Sequence, residues 1–461
     1  MVRVFSQYFP IGTLLLMLMD ALCLFVADML GVLVFQNGLS PNLVVFLPGL
    51  LTFVVVMVAF SGSLGLYGDH SADDFWVFNG KLAMPLLVGL PLVHWIFYRL
   101  PDGGISPAAL SAAILMAFLA RLALFSHSNV TSAFINRRVM ILGVGPDAAL
   151  VKEALDKSAV PGLYVVGFYS LEESPTLSGN LPPNKIILPT TSICETARNL
   201  KVNEIVIAMR ERRGGTLPLS DLLNCKLNGV KITDLSSFFE KYNSKVRIDL
   251  LRESWFIFGD GFRQHKSRIF IKRAFDILAS GALLVFSLPV MILAAIAIKL
   301  ESVGPVIYRQ ERVGLGGKTF NVLKFRSMCI DAEVDGKPQW AKAKDSRVTR
   351  IGRFMRLTRI DELPQLITVL RGEMSLVGPR PERPFFVDQI AEKVPFYCAR
   401  HSVKPGVTGW AQVRHHYGAS VDDASDKLQY DLYYVKNHTL FFDIMVLFYS
   451  VRVVLLAQGS R

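Results

Sequence analysis

The stretch KSRIFIKRAFDILASGALLVFSLPVMILAAIAIK (Lys266–Lys299) decides how this chain is organised. Its apolar part, Phe275 to Ile298, exceeds the roughly 20 residues that a helix needs to cross a bilayer. Lys266, Arg268, Lys272 and Arg273 precede it, and Lys299, Arg309, Arg312 and Lys318 follow. Positive flanks stay on the cytoplasmic side, so both ends are expected on one face. Near the middle stand Ser287 and Pro289. Proline removes a backbone donor and clashes with the preceding turn, which breaks or kinks a helix. The reading is a re-entrant membrane hairpin over about 275–298, broken at Ser287 and Pro289. A Pro-kinked spanning helix is the alternative.

Upstream, four apolar stretches open the chain, at Ile11–Phe35, Leu43–Tyr67, Leu82–Tyr98 and Pro107–Phe125. Each is near the length of a spanning helix. Asp20, Asp28 and Arg121 fall inside them and are expected to pair within a bundle, because isolated charges are costly in lipid. The composition agrees. Of 461 residues, 51% are hydrophobic and only 19% charged, against about a quarter charged in soluble domains. The net charge of +12 suits anionic headgroups or phosphate ligands. Nucleic acid ranks below both, since lipid-spanning segments come first in the chain. Loop charges weakly put both ends of the four-helix bundle in the cytoplasm. The five cysteines are scattered without a CxxC pair, which points to neither a zinc site nor a disulfide framework.

Between the bundle and the hairpin, short apolar strands at Arg138–Gly143, Tyr164–Tyr169, Lys185–Leu188 and Glu204–Met209 alternate with helical patterns. Such alternation implies a parallel sheet. The first strand runs into Gly143, Gly145 and Ala148, a G-x-G-x-x-A variant of the dinucleotide fingerprint. Asp147 at the following helix start would repel a pyrophosphate, so a tight structural turn is the simpler reading.

After Gly304 the chain becomes rich in Arg, Lys and acidic residues. KFRSM (Lys324–Met328) sets two cations, Lys324 and Arg326, around an aromatic. A basic stretch with Arg347, Arg350, Arg353, Arg356 and Arg359 leads to DELPQ, Asp361–Gln365. Pro364 suits the start of a helix and Gly372 its end, which puts Asp361 near a helix N-terminus. There it could be a plain N-cap. A carboxylate pair set among cations also suits phosphoryl chemistry, as a ligand to a hard cation or as a nucleophile. VGPRPE (Val377–Glu382) frames Arg380 with two prolines, a rigid guanidinium that fits a diphosphate. KPGVTGWAQV (Lys404–Val413) reads as a turn presenting Trp410, with plain packing an equal reading. The apolar run Leu440–Leu456 carries Asp443 and Arg452 and reads as an interfacial or packed helix.

KFRSM, DELPQL, VGPRPE and KPGVTGWAQV, in this order after a Pro-broken hairpin, resemble the bacterial sugar transferase family of monotopic phosphoglycosyl transferases. The likeness runs from about Ile271 to the C-terminus. The front half looks like the long subgroup that initiates exopolysaccharide or capsule repeat units. The resemblance implies transfer of a hexose-1-phosphate, from UDP-glucose or UDP-galactose, to undecaprenyl phosphate with release of UMP. It implies Mg²⁺ as cofactor and Asp361 as its main protein contact. Asp361 would be the nucleophile and Glu362 its assistant. Lys324, Arg326, Arg359 and Arg380 would hold phosphate, with Arg414 as the basic residue after KPGVTGWAQV. At that point the family's Asn-Gly-Arg-like run is replaced by Arg414, His415, His416 and Tyr417.

The expected architecture is a multidomain membrane protein of the bacterial inner membrane, catalytic on its cytoplasmic face. Four transmembrane helices occupy residues 1–130, a Rossmann-like α/β domain 131–262, and a mainly α transferase domain with the hairpin 263–461. Expected partners are a UDP-sugar, undecaprenyl phosphate and membrane lipid, with a homodimer as an option and no nucleic acid. A non-catalytic scaffold or a nucleotide-sensing component of polysaccharide assembly is the competing function. Loss of the Asp-Glu pair or the Pro-Arg-Pro frame would mark a scaffold, and both are intact.

Overall fold

In hydrocarbon a lone apolar run can satisfy its own amides only as a helix. The computed structural model contains the N-terminal runs as the helices Ile11–Phe35, Leu43–Ser63 and Pro107–Ser126, with a further helix over 78–86. The structure describes residues 2–4, 7–9, 11–35, 43–67, 78–86, 107–126, 137–158, 163–172, 181–209, 217–251, 253–259, 261–262, 265–329, 347–415 and 421–455. The rest of the third expected helix, to Tyr98, lies outside them. Leu24, Met57 and Ala117 are fully buried between the helices, while Leu18, Leu22, Val55 and Leu115 face outward.

Asp20 and Arg121 do pair, as their cost in an apolar bundle requires. The Arg121 guanidinium donates to both Asp20 oxygens at 2.8 and 2.6 Å and also to Ser61 Oγ. The Tyr67 hydroxyl donates to Asp20 Oδ2 at 2.6 Å. Both charged side chains are fully buried. A buried pair of this kind is tolerated only when such extra hydrogen bonds complete it. The Asp28 side chain lies outside the described residues.

Packing divides the chain into two units, Met1–Val4 with Tyr8–Asn243, and Phe5–Gln7 with Ser244–Arg461. The first unit also holds a parallel sheet. Its strands are β1 (Arg137–Leu142), β2 (Leu163–Tyr169), β3 (Ile186–Ile187), β4 (Glu204–Ile207) and β5 (Lys231–Asp234). They lie in the order β3-β2-β1-β4-β5, all parallel. That is the order of the first five strands of a six-stranded doubly wound sheet. Gly143 follows β1 with φ +118, and a Cβ there would lie 2.7 Å from the Ala208 carbonyl oxygen. Close backbone packing therefore explains this glycine without a ligand.

In the second unit, Lys266–Glu301 is one α-helix of 36 residues, with Ser287 and Pro289 inside it rather than at a turn. At 1.5 Å per residue it is about 54 Å long. Pro289 costs one backbone bond, and Ser287 Oγ donates to the Leu284 carbonyl at 3.3 Å beside the gap. By length and composition it is able to cross a membrane, and 6% of its apolar window is buried.

Both ends of this helix are tied to the same body. At the start, Lys272 Nζ lies 2.6 Å from Asp443 Oδ2, and Arg273 donates to the Val369 and Leu370 carbonyls at 2.6 and 2.7 Å. At the end, the Glu301 carboxylate accepts from the amides of Arg350 and Ile351. Arg326 donates to the carbonyls of Val303 and Ser302 at 2.7 and 2.8 Å. Between the anchors, Val285, Phe286 and Leu293 are exposed.

The core of this unit gathers Leu366, Val369, Met374, Leu376, Trp410, Leu432 and Phe442. The C-terminal run is a packed helix, Leu440–Leu455, with Asp443 buried against Lys272 and the Tyr434 hydroxyl. Residues 244–262, assigned by sequence pattern to the α/β domain, belong here. Val246 and Ile248 are in this core, and the Val246 amide donates to the Gln429 carbonyl at 2.9 Å.

Candidate active site

Two β-strands supply the first cation. β6 (Ile307–Val313) and β7 (Thr319–Phe325) form an antiparallel hairpin in which Lys324 pairs with Tyr308. Leu323 and Phe325 are buried on either side of Lys324. The strand ends in the KFRSM turn, on which the helix Arg350–Leu357 rests. Thr349 Oγ1 caps that helix by accepting from the Gly352 amide at 2.9 Å. A Cβ at Gly352 would sit 2.1 Å from the Ser327 carbonyl oxygen, so only glycine lets the helix approach this closely.

Arg359 then stops the helix with φ +57, a left-handed conformation that costs a non-glycine residue about 1 kcal/mol or more. The turn it makes delivers Ile360–Glu362 as a short 3-10 segment. The helix Gln365–Arg371 follows and ends at Gly372 with φ +90, the end read from the sequence. Asp361 therefore precedes that helix by a turn rather than capping it.

Asp361 and Glu362 are 7% and 9% exposed, and their surroundings differ. Glu362 Oε1 receives three cations: Arg380 Nη2 at 2.8 Å, Lys324 Nζ at 3.3 Å and Arg359 Nη1 at 3.7 Å. Burial opposes the Glu362 charge. Arg380, Lys324 and Arg359 outweigh it and hold the carboxyl well below the usual carboxylate range. Asp361 Oδ1 is buried with no hydrogen-bond partner. Burial first, and the adjacent Glu362 second, push its carboxyl up to about 6. One carboxylate is thus saturated with positive charge while its neighbour is buried, proton-retentive and has one oxygen without a hydrogen-bond partner.

The VGPRPE and KPGVTG segments are one structure. β8 (Ser375–Val377) and β9 (Gly406–Thr408) pair in parallel. A Cβ on Gly378 would meet the Lys404 carbonyl oxygen at 2.3 Å. This contact fixes where the Pro-Arg-Pro frame leaves the strand. Gly378→Ala is expected to displace Arg380 and lower turnover by about tenfold or more. A rate unchanged in that variant would show that the frame does not depend on this approach.

The fold thus brings Lys324, Arg359 and Arg380 together on Glu362. Two expected phosphate contacts go elsewhere. Arg326 is 7% exposed and is spent on the carbonyls at the end of the long helix. Arg414 lies over the Trp410 ring at 4.7 Å, and Trp410 is itself buried with its indole donating to the Ser244 carbonyl at 3.0 Å. Trp410 is thus a packing residue. One contributor was not singled out. Arg356 lowers the Asp361 carboxyl electrostatically and donates from Nε to Ser327 Oγ at 3.0 Å. Its place three residues before Arg359 was the available signal.

Among the described residues no group of three or more His, Cys, Asp or Glu is placed to hold a metal ion. A Mg²⁺ ion is ordinarily held by one or two carboxylates together with substrate phosphates and water. The unpartnered Asp361 Oδ1 fits that mode, and a fully protein-made cage does not.

A model of the bacterial sugar transferase family matches residues 267–457. A Klebsiella pneumoniae protein named UDP-glucose:undecaprenyl-phosphate glucose-1-phosphate transferase is 33% identical over 325 residues, 68% of this chain and 67% of that protein. The chain belongs to the bacterial sugar transferase family. An Aeromonas hydrophila UDP-N-acetylgalactosamine-undecaprenyl-phosphate N-acetylgalactosaminephosphotransferase is 43% identical over 240 residues. That match takes in 52% of this chain and 56% of the relative, so the chain spans about half that protein's length. A Salmonella typhimurium undecaprenyl-phosphate galactose phosphotransferase is 31% identical over 70% of this chain and 69% of its own. The family segment starts within the long apolar helix and takes in every cation on Glu362.

Proposed function

We propose that this protein transfers a sugar-1-phosphate from a UDP-sugar to undecaprenyl phosphate and releases UMP, as the first membrane step of exopolysaccharide or capsule repeat-unit synthesis. The observation that carries this is the division of labour in the acidic pair. Three cations converge on Glu362, and beside it the buried Asp361 Oδ1 has no partner. An incoming diphosphate brings negative charge to a place where Lys324, Arg359 and Arg380 are already fixed, so little reorganisation is needed.

In the proposed reaction an Asp361 carboxylate oxygen attacks the β-phosphorus. The bond from that phosphorus to the bridging oxygen breaks, and UMP departs with the electron pair. An oxygen of undecaprenyl phosphate then attacks the phosphorus of the phosphosugar and expels the Asp361 carboxylate. Glu362 keeps the three cations in register and lends them to the phosphate oxygens as charge shifts. Bound Mg²⁺, with Asp361 as its main protein contact, would neutralise phosphate charge. The relatives' names carry glucose, galactose and N-acetylgalactosamine. The donor is therefore a UDP-hexose or UDP-N-acetylhexosamine.

The long helix supports a monotopic placement. Its exposed middle suits hydrocarbon, and its two ends are anchored to one body by Lys272, Arg273, Glu301 and Arg326. A membrane segment with both ends anchored to one body would return to the face it entered, and Pro289, inside the helix, is where a kink would fall. That holds the acidic pair at headgroup height on the cytoplasmic face of the inner membrane, where a lipid phosphate lies. The N-terminal helices form a transmembrane bundle, and the parallel sheet that follows them in the sequence is a Rossmann-like domain.

Two measurements test this. Purified protein with Mg²⁺ and undecaprenyl phosphate should release UMP from at least one UDP-sugar of a panel, and a chelator should stop it. No release from any of them sinks the assignment. Single cysteines placed at positions 264 and 303 should both label from the cytoplasmic side. Periplasmic labelling at 303 would rule out the re-entry.

A further inference from the structure

Pro379 and Pro381 have no amide hydrogen, so apart from the Arg380 amide the main chain of the Pro-Arg-Pro frame is held through its carbonyls. All four from Pro379 to Glu382 are engaged. The Gly406 amide donates to the Pro379 carbonyl at 3.0 Å, and the Val313 amide to that of Glu382 at 2.9 Å. Arg312 Nη1 donates to the Pro381 carbonyl at 3.1 Å. The Arg380 carbonyl receives Arg400 Nη2 at 2.8 Å.

Arg400 stands out among these donors. It lies in the short helical segment Tyr397–Ser402 and is 6% exposed. Its Nη1 donates to the Tyr397 hydroxyl at 2.6 Å, and its Nη2 lies 2.7 Å from Asp431 Oδ2. Asp431 is 1% exposed, on the helix Val421–Asn437. A buried pair costs desolvation that an apolar pair of similar size would not, so stability is a weak reason for it. What the guanidinium does supply is a planar fork that donates to the Tyr397 hydroxyl and the Arg380 carbonyl while its charge pairs with Asp431, which an ammonium does not reproduce.

We propose that Arg400 is a positioning residue for the transfer reaction. Clamped by Asp431 and Tyr397, it holds the Arg380 main chain so that the Arg380 guanidinium meets Glu362 and the incoming diphosphate. The proposal rests on the reading of this site as a UDP-sugar phosphotransferase. The route is short. Arg400 touches the carbonyl of the residue whose side chain lies 2.8 Å from Glu362.

The test is a double-mutant cycle on the full-length protein in lipid nanodiscs, read by UMP release and by UDP binding in calorimetry. Arg400→Lys keeps the charge and loses the fork. It should lower kcat/KM about tenfold, mainly through KM, and weaken UDP binding to match. In an Arg380→Ala background the same change should alter UDP binding by less than about twofold, because the group it positions is gone. Losses that multiply in both backgrounds overturn the proposal. Should Arg400→Lys not fold, Tyr397→Phe, which deletes one hydroxyl, carries the same cycle with the same two outcomes. Wild-type protein that neither releases UMP nor binds UDP overturns the parent reading and this proposal together. An active wild type with additive losses overturns this one alone.

Discussion

Asp361→Asn should abolish UMP release, by more than about 10³-fold, while leaving the fold intact or firmer. The loss follows from its proposed role as the attacking group, since an amide has no carboxylate to give. The stability gain follows from burial. In the folded protein the Asp361 carboxyl is pushed up to about 6, from 3.8 unfolded, because water is excluded and Glu362 is adjacent. The folded state therefore holds the proton more tightly than the unfolded chain. This group costs stability above pH 6, and the cost disappears as pH falls from 6 toward 4. Without Mg²⁺, the variant should melt above the wild type at pH 7.5, and the gap should close near pH 4. Wild-type turnover should rise with pH through the same range. Normal UMP release by Asp361→Asn would remove this residue from the chemistry. A melting point below wild type at pH 7.5 would contradict the account of its burial.

Glu362→Gln should behave in the opposite sense. Removing its charge leaves Lys324, Arg359 and Arg380 facing one another around a neutral amide. Breaking a buried charge group by deleting one partner costs about 3 kcal/mol or more. The Glu362 carboxyl is held far below its unfolded value, so its contribution is present above about pH 4.5 and is lost only in strong acid. The variant should therefore melt well below wild type at pH 7.5, with the difference shrinking below pH 4.5. UMP release should also fall, since the cations lose the anion that registers them. A variant as stable and active as wild type would mean that the three cations are placed by the backbone alone. The two neighbouring acids thus separate by sign: one variant is firmer and dead, the other weaker and slow.

Much of the site was legible because its motifs put charge next to rigid backbone. Asp361, Glu362, Lys324 and Arg380 could be picked out by residue type and by the prolines and glycines around them. Arg326 shows the limit of that method. In KFRSM it is indistinguishable from Lys324, yet the strand ends at Phe325, and beyond that end Arg326 turns to the end of the long helix while Lys324 reaches Glu362. Arg414 lies over the ring of Trp410, four residues back on the same short helix, a contact that the sequence reading did not anticipate. Arg400, Tyr397 and Asp431 carried no local signal at all. They meet across 34 residues of chain, and only folding gives them a common target.

By itself, the sequence determined what depends on local physics. Apolar length dictated the helices at 11–35, 43–63 and 107–126, and alternation dictated the parallel strands. Gly372 dictated a helix end, and the charges in apolar helices dictated that Arg121 needs an acid, with Asp20 and Asp28 both on offer. Only the tertiary structure decided which cation reaches which carboxylate. It alone decided that Asp361 is buried with an unpartnered oxygen while its neighbour is saturated, and that both ends of the long helix hydrogen-bond to the same unit. Periodicity fixes the face a side chain takes within its own element. Distances between elements are set by how the whole core packs, and the electrostatics of this acidic pair depend on those distances.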